Sequence, residues 1–325
     1  MSSHEISRAD APGSGKEQAL ALHCFRHSLD YSWLQYLSPD PATLAMPLPD
    51  NHRSRPVLSG HYVAVNPTPL PNPKLVIHSQ FVAKDVGISQ DEAVSDAFTN
   101  LFSGNQVQFP EVLSWCTPYA LAIMGQRITD NCPFGNDTGY GDGRAISVAE
   151  VVIDNLRWEL QLKGAGATPF CRGGDGRAVL RSSVREFLAS EAMHHLGVPT
   201  TRALCLIVSG SECVKRPWYS GQVGTVMGDE PDIVQSEWCA ITTRAAPSFI
   251  RIGHLDLFAR RASSGRSGRQ QHLELEQMVE HLLYREFPSL APDDPLSERA
   301  LAMLPLAADR LGTMVAGWLR VGFCQ

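Results

Sequence analysis

No apolar run in this chain approaches the roughly 18 residues that cross a bilayer, so the sequence offers no membrane-spanning helix. The opening, MSSHEISRADAPGSGKEQ, lacks both a hydrophobic signal core and an acid-free, arginine-rich face. An intracellular protein is expected, with mitochondrion, plastid and cytoplasm all left open and no membrane partner. A basic block is missing too: 28 Lys and Arg are scattered among 34 Asp and Glu, for a formal charge of -6, which leaves no footprint for nucleic acid. No C-x-x-C pair or zinc-ligand spacing occurs among Cys24, Cys116, Cys132, Cys171, Cys205, Cys213, Cys239 and Cys324, so reduced thiols are expected and neither a disulfide framework nor a zinc site. Fixed-period repeats are absent as well.

What is present is apolar material in quantity, 43 % of 325 residues, enough for one large domain or two lobes. The chain up to about residue 15 reads as a disordered lead. Residues 38 to 75 are dense in proline (LSPDPATLAMPLPD, NPTPLPNPKL), which denies helix interiors and sheet ladders alike; irregular covering outside the core is expected there, with a short strand from Tyr62 to Val65. Helical spacing follows at Val94, Ala97, Phe98 and Leu101, then two strands, AISVAEVVI and RWELQLK. In the second strand Trp158, Leu160 and Leu162 share one face, and Glu159, Gln161 and Lys163 the other, which turns Lys163 toward a polar cleft. A helix is expected from near Ser183, with Val184, Phe187 and Leu188 inward, ending at Gly197. TRALCLIVSG returns as a strand, residues 209 to 238 read as a polar surface insertion, and CAITTRAAPSFIRIGHL resumes strand character. Two amphipathic helices close the chain, HLELEQMVEHLLYREF and about Leu306 to Val321. β-rich material therefore precedes α-rich material, as in a two-lobed α+β fold with a ligand cleft between the lobes. The expected division is a lead and irregular segment (1–56), a β-rich lobe (57–255) and the start of a helical lobe (256–325).

The chemistry concentrates between residues 132 and 187. CPFGNDTGYGDGRA carries Gly135, Gly139, Gly141 and Gly143, and glycine lets backbone N–H groups approach phosphate oxygens. Lys163 adds a full charge from the neighbouring strand. Glu186, on the next helix, has two readings: partner of Lys163, as in the strand-lysine and helix-glutamate pair of protein kinases, or third helical residue of a Ser183-x-x-Glu186 capping box. GYGDGR alone is weak, since no Walker lysine follows. Arg144, Arg172, Arg177, Arg181 and Arg185 each have the bland reading of surface charge. Arg244 and Arg251 differ: they lie in TTRAAPSFIRIG, otherwise short of charge, where a buried arginine needs an anion. His194 and His195, at a helix end, suit the dipole and receive no chemistry.

The stretch LQLKGAGATPFCRGGDGRAVLRSSVREFLASEAMHHLGVPTTRAL closely resembles the selenoprotein O family, protein-kinase-like proteins that act as adenylyltransferases, and the likeness extends through NCPFGNDTGYGDGRAISVAEV, VNPTPLPNPKLV and TTRAAPSFIRIGHL. It implies a protein-kinase-like two-lobed fold, and ATP bound inverted so that AMP passes to a protein Ser, Thr or Tyr hydroxyl. It implies nucleotide contacts at Gly141, Gly143 and Arg144 in GDGR, Lys163 in LKGAG, Asp175 and Gly176 in GGDGR, and Arg244 and Arg251, with Glu186 as the supporting partner of Lys163. Rate would come from positioning and from neutralising charge on the bridging oxygen. The implied cofactors are ATP and Mg²⁺ or Mn²⁺, and the implied partners are proteins with acceptor hydroxyls.

The family's catalytic loop, an asparagine-aspartate-asparagine stretch followed by a D-Y-G metal motif, does not occur before the closing GWLRVGFCQ. The 325 residues are thus expected to be the β-rich lobe and the opening of an incomplete helical one, with catalytic base and metal ligands beyond Gln325, no turnover and weak ATP binding. Leu311, Val315, Trp318 and Leu319 are expected to lack partners. Two alternatives stay open: a conventional phosphotransferase, and a non-catalytic nucleotide-binding or interaction protein.

Overall fold

The alternation in residues 145–163 forms the hairpin that its period dictates, turning through Asp154 and Asn155 at φ 49° and 63°, the left-handed pair that a two-residue turn matched to strand twist requires. A computed structural model describes residues 21–45, 51–123, 126–127, 140–219, 231, 233–263 and 268–323. Its strands are β1 Val63–Ala64, β2 Pro73–His78, β3 Trp115–Cys116, β4 Ala122–Ile123, β5 Gln126–Arg127, β6 Ala145–Ile153, β7 Leu156–Lys163, β8 Ala178–Val179, β9 Arg202–Trp218 and β10 Ile233–Ala246. Its helices are α1 His23–His27, α2 Ser32–Tyr36, α3 Pro41–Ala45, α4 Gln80–Asp85, α5 Asp96–Phe102, α6 Leu180–His195, α7 Ile252–Ser263, α8 Arg269–Glu286 and α9 Leu296–Arg320. The fold is α+β. One antiparallel sheet runs in the order β1-β3-β6-β7-β10-β9-β2, with β8 beside β10, and the three long helices α7 to α9 follow it in sequence.

The main core lies where α4 and α5 cover the sheet: Val82, Val86, Phe98, Leu101 and Phe102 pack with Ile146, Val148, Leu160, Leu162, Leu204 and Ile207. The proline-rich segment is part of that core and not covering alone, because Val57, Val63, Val65 and Leu70 are fully or almost fully buried in it. The 209–238 stretch also departs from expectation. At its described ends it is the outer half of the β9–β10 ribbon, paired from Ser236↔Lys215 to Ile233↔Trp218. Helix α6 begins at Leu180, earlier than expected, because Leu180 and Val184 pack with Phe187 on Ala203, Leu206 and Ala240. Ser183 is therefore interior to the helix, buried, and no side chain caps the helix start, so the capping-box reading falls; Leu188 is 58 % exposed and leaves the buried stripe. Helix α9 starts at Leu296, ten residues before Leu306, and carries Pro305 inside it. Leu311, Val315 and Leu319 are exposed, whereas Trp318 is half-buried and packs on Phe323.

The polar face of β7 is not open along its length. Glu159 and Gln161 are buried, and of the three residues expected on the cleft side Lys163 alone lines the large cavity described below. Glu159 accepts from Trp33 Nε1 (3.3 Å), Ser147 Oγ (2.8 Å) and Phe249 N (3.1 Å). Burial, and then the charge of Glu150, push its carboxyl up to about 7. Burial also drives His254 and His281 down to about 3, with Arg251 and Arg285 respectively adding to it. The two effects oppose each other. Glu159 stabilises the fold at low pH and loses that contribution as pH rises through 7, whereas the histidines stabilise it above their unfolded value of 6.5 and lose that as pH falls. Unfolding takes up protons on His254, His281 and His61, whose imidazole burial also pulls down, against the one that Glu159 releases, so between about pH 6 and 5 stability is expected to fall by roughly 1 kcal/mol or more per pH unit. Denaturant melts at four pH values check this; stability that rises on acidification would show Glu159 to dominate.

Candidate functional site

Three neighbouring strands build the site at one end of the sheet. On β7, Lys163 lies between Ala145 of β6 and Thr242 of β10. Residues 141–144 enter β6, the glycine-bearing turns leave β7, and Arg244 stands two residues beyond Thr242, facing Gln161. The chain then turns at Arg251 into α7. Every residue expected to touch a nucleotide, Gly141, Gly143, Arg144, Lys163, Asp175, Gly176, Arg244 and Arg251, lines one cavity of about 840 Å³. Gly135 and Gly139 lie outside the described residues. Gly143 shows why no side chain is tolerated at this approach: a Cβ there would stand 2.6 Å from the Phe170 carbonyl oxygen.

Glu186 does not line the cavity but holds its floor. Its Oε2 accepts from Lys163 Nζ at 2.5 Å, and its Oε1 lies 3.5 Å from Arg244 Nη1. Burial pulls the Lys163 ammonium below its ordinary value and Arg244 adds to the pull, while the Glu186 carboxylate works against both. Arg244 also donates to Gln161 Oε1 and covers the Phe249 ring at 5.3 Å. The Nε groups of Arg244 and Arg251 are buried without a hydrogen-bond partner among the described residues. Donors left this way in a cationic cavity suit an anion.

Other lining residues had been given no role or only that of surface charge. Arg216, within the stretch read as an insertion, reaches back along β9 to grip Asp175 at 2.8 Å, so Asp175 faces a guanidinium. Arg177 is buried and forms a bidentate pair with Glu212 at 3.0 and 2.9 Å, a strut between the glycine turn and β9. Asp142, between the two glycines of GDGR, is 3 % exposed and accepts from Thr117 Oγ1 at 2.6 Å. Tyr119 lies against the Arg251 guanidinium, 5.0 Å from ring centre. Sequence offers no local signal for these pairs, whose members lie 25 positions apart for Thr117 and Asp142 and 41 for Asp175 and Arg216. Seven lining cations face four carboxylates in or directly behind the wall (Asp142, Asp175, Glu186, Glu212), an excess of three positive charges. Among the described residues no three Asp, Glu, His or Cys side chains converge to hold a metal ion, and Asp142 and Asp175 already serve organic cations. The described residues therefore offer no cluster of three such ligands for Mg²⁺.

Residues 51–325 match the family model described as protein adenylyltransferase SelO. The chain belongs to the SelO family. It is 40 % identical over 296 residues to the protein nucleotidyltransferase YdiU of Azoarcus sp. (strain BH72), covering 90 % of this chain and 50 % of that protein. The counterpart from Tolumonas auensis is 40 % identical over 295 residues, again 90 % and 50 %. That of Xanthomonas campestris pv. campestris (strain 8004) is 42 % identical over 273, covering 83 % and 46 %. This SelO-family chain thus spans about half the length of the curated relatives it matches. No helix among its described residues is long and apolar enough to cross a membrane.

Proposed function

We propose that this chain carries the nucleotide-binding half of a kinase-like, ATP-dependent protein adenylyltransferase, which passes AMP to a Ser, Thr or Tyr hydroxyl of an acceptor protein. The observation that carries the reading is the convergence of Lys163, Arg244 and Arg251 with the peptide groups of Gly141 and Gly143 on one cavity. Its excess positive charge matches a triphosphate. Its wall is cationic and peptide, with Tyr119 and Phe170 the aromatic side chains in it, so it suits phosphates more than a buried base.

In the proposed transfer the acceptor oxygen attacks the α-phosphorus, the bond to the α–β bridging oxygen breaks, and pyrophosphate leaves with the electron pair. Lys163, held by Glu186, and the two arginines neutralise charge growing on the bridging oxygen and the departing phosphates. Asp142 and Asp175 are committed to Thr117 and Arg216, which leaves removal of the hydroxyl proton to another group. Mg²⁺ would supply further neutralisation of the phosphates when bound.

Lys163→Met removes the charge and keeps the stem. ATP affinity of the chain, followed by titration calorimetry, is expected to fall about tenfold, with the melting temperature held; unchanged affinity would remove Lys163 from the site. ATP labelled at the α- or γ-phosphate separates adenylylation from phosphorylation in the full-length protein: γ-label on the acceptor would overturn the reading.

A further inference from the structure

Arg251 is held at both ends. Its backbone N–H donates to His254 Nδ1 at 2.8 Å, and its guanidinium lies 3.6 Å from Asp142 Oδ1. Between those ends runs a closed circuit. Because His254 Nδ1 accepts, the ring's proton is on Nε2, which stands 3.0 Å from Thr117 Oγ1. Thr117 Oγ1 accepts that hydrogen bond and has its own hydroxyl hydrogen free to donate to Asp142 Oδ2 at 2.6 Å, and its backbone N–H donates to the same oxygen at 3.1 Å. His254, Thr117 and Asp142 are 0 %, 4 % and 3 % exposed, so each bond forms without competition from water. The circuit joins the loop after β3, the glycine entry to β6 and the first turn of α7, three segments with no sequence proximity.

We propose that Thr117 and His254 are positioning residues which, through Asp142, set the Arg251 guanidinium toward the ligand in the cavity. With Oδ2 occupied by Thr117, Asp142 offers Arg251 one oxygen at 3.6 Å, near enough to aim the guanidinium and too far to consume its donors. Freed from Thr117, the carboxylate would turn both oxygens on Arg251 and withdraw it from the phosphates. Burial keeps His254 neutral, so the direction of the circuit stays fixed across neutral pH.

The proposal rests on the nucleotide reading above, and a double-mutant cycle separates the two. ATP is titrated into the 325-residue chain as wild type, Thr117→Val, Thr117→Ser, Arg251→Ala, and Thr117→Val combined with Arg251→Ala. Thr117→Val is expected to weaken ATP about tenfold, Thr117→Ser to stay within about twofold of wild type, and Thr117→Val to add nothing once Arg251 is gone. Additive losses, or a Thr117→Val protein that binds like wild type, overturn the relay and leave the nucleotide site standing. Failure of the wild type to bind ATP overturns both. If thermal melts show Thr117→Val unfolded, His254→Leu against His254→Gln, which keeps a donor toward Thr117, reads the same coupling from the other side.

Discussion

Arg285→Ala is expected to cost about 3–5 kcal/mol of stability at neutral pH, the range for removing one partner from a buried ionic cluster. Arg285 projects from α8 with its side chain 2 % exposed, and Nη1 donates to Ser32 Oγ at 2.7 Å while standing 3.3 Å from Glu150 Oε2. Its Nη2 donates to the Pro247 carbonyl at 2.5 Å and lies 4.0 Å from Glu159 Oε2. Glu150 is further bound by Arg157 at 2.8 Å and by the amides of Ser32 and Trp33. Two buried carboxylates thus share two guanidinium groups, and the cluster ties α2, the β6–β7 hairpin and α8 into one body. Deleting Arg285 leaves Glu150 with Arg157, which Asp30 shares, and takes from Glu159 its arginine neighbour, so Glu159 is expected to take a proton. The cost should therefore shrink as pH falls below 7, where Glu159 is already protonated, and adding Glu159→Gln should recover part of it. Urea melts of the single and double variants at pH 7.5 and 5.5 decide this. A loss below about 1 kcal/mol at the higher pH would show the cluster to be no better than exposed pairs.

The same cluster marks where sequence reasoning stopped. Period two placed Lys163 on the cleft side of β7, because alternation is a local property of the strand. It placed Glu159 and Gln161 there as well, and nothing local distinguishes a polar residue facing solvent from one such as Glu159 that faces Trp33 and Arg285, each 126 positions away. The β9–β10 ribbon failed for the reverse reason. Beyond Ser209 the strand buries little, with Val214 packed on the core and the rest alternating between half-buried and exposed, so Ser211, Lys215 and Arg216 read as surface chain. Ser183 and Glu186 matched the spacing of a capping box, but α6 is set by packing of Leu180 and Val184 on the sheet, and the packing outweighed the cap. The proline-rich segment was legible as irregular chain and not as core, since burial of Val57 and Leu70 depends on α5 and the sheet. Around the cavity, resemblance supplied the residues and the fold supplied their convergence; Asp142 and Arg216 emerged only with their partners, Thr117 and Asp175.

Gly176→Ala is expected to abolish the cavity's far wall. Gly176 adopts φ +69°, and a Cβ there would stand 2.0 Å from the Gly166 carbonyl carbon and 2.1 Å from the Ala167 nitrogen. Those are backbone atoms, with no flexible end to yield. The turn leaving β7 crosses itself at this point, closed by Gly166 N–H donating to the Gly176 carbonyl at 3.2 Å. Forcing the strands apart displaces Asp175 from Arg216 and Arg177 from Glu212 on either side of the glycine, so both struts to β9 are loosened together. We expect a stability loss of about 3 kcal/mol or more and at least a tenfold weakening of ATP. Gly173→Ala isolates the steric part of that loss. Gly173 has nearly the same φ, +76°, but nothing lies within 4 Å of its added Cβ, so only the left-handed cost of about 1 kcal/mol applies. Thermal melts and ATP titrations of the two variants side by side give the answer. Equal losses would mean that backbone conformation alone sets the cost and that the crossing at Gly176 holds nothing in place.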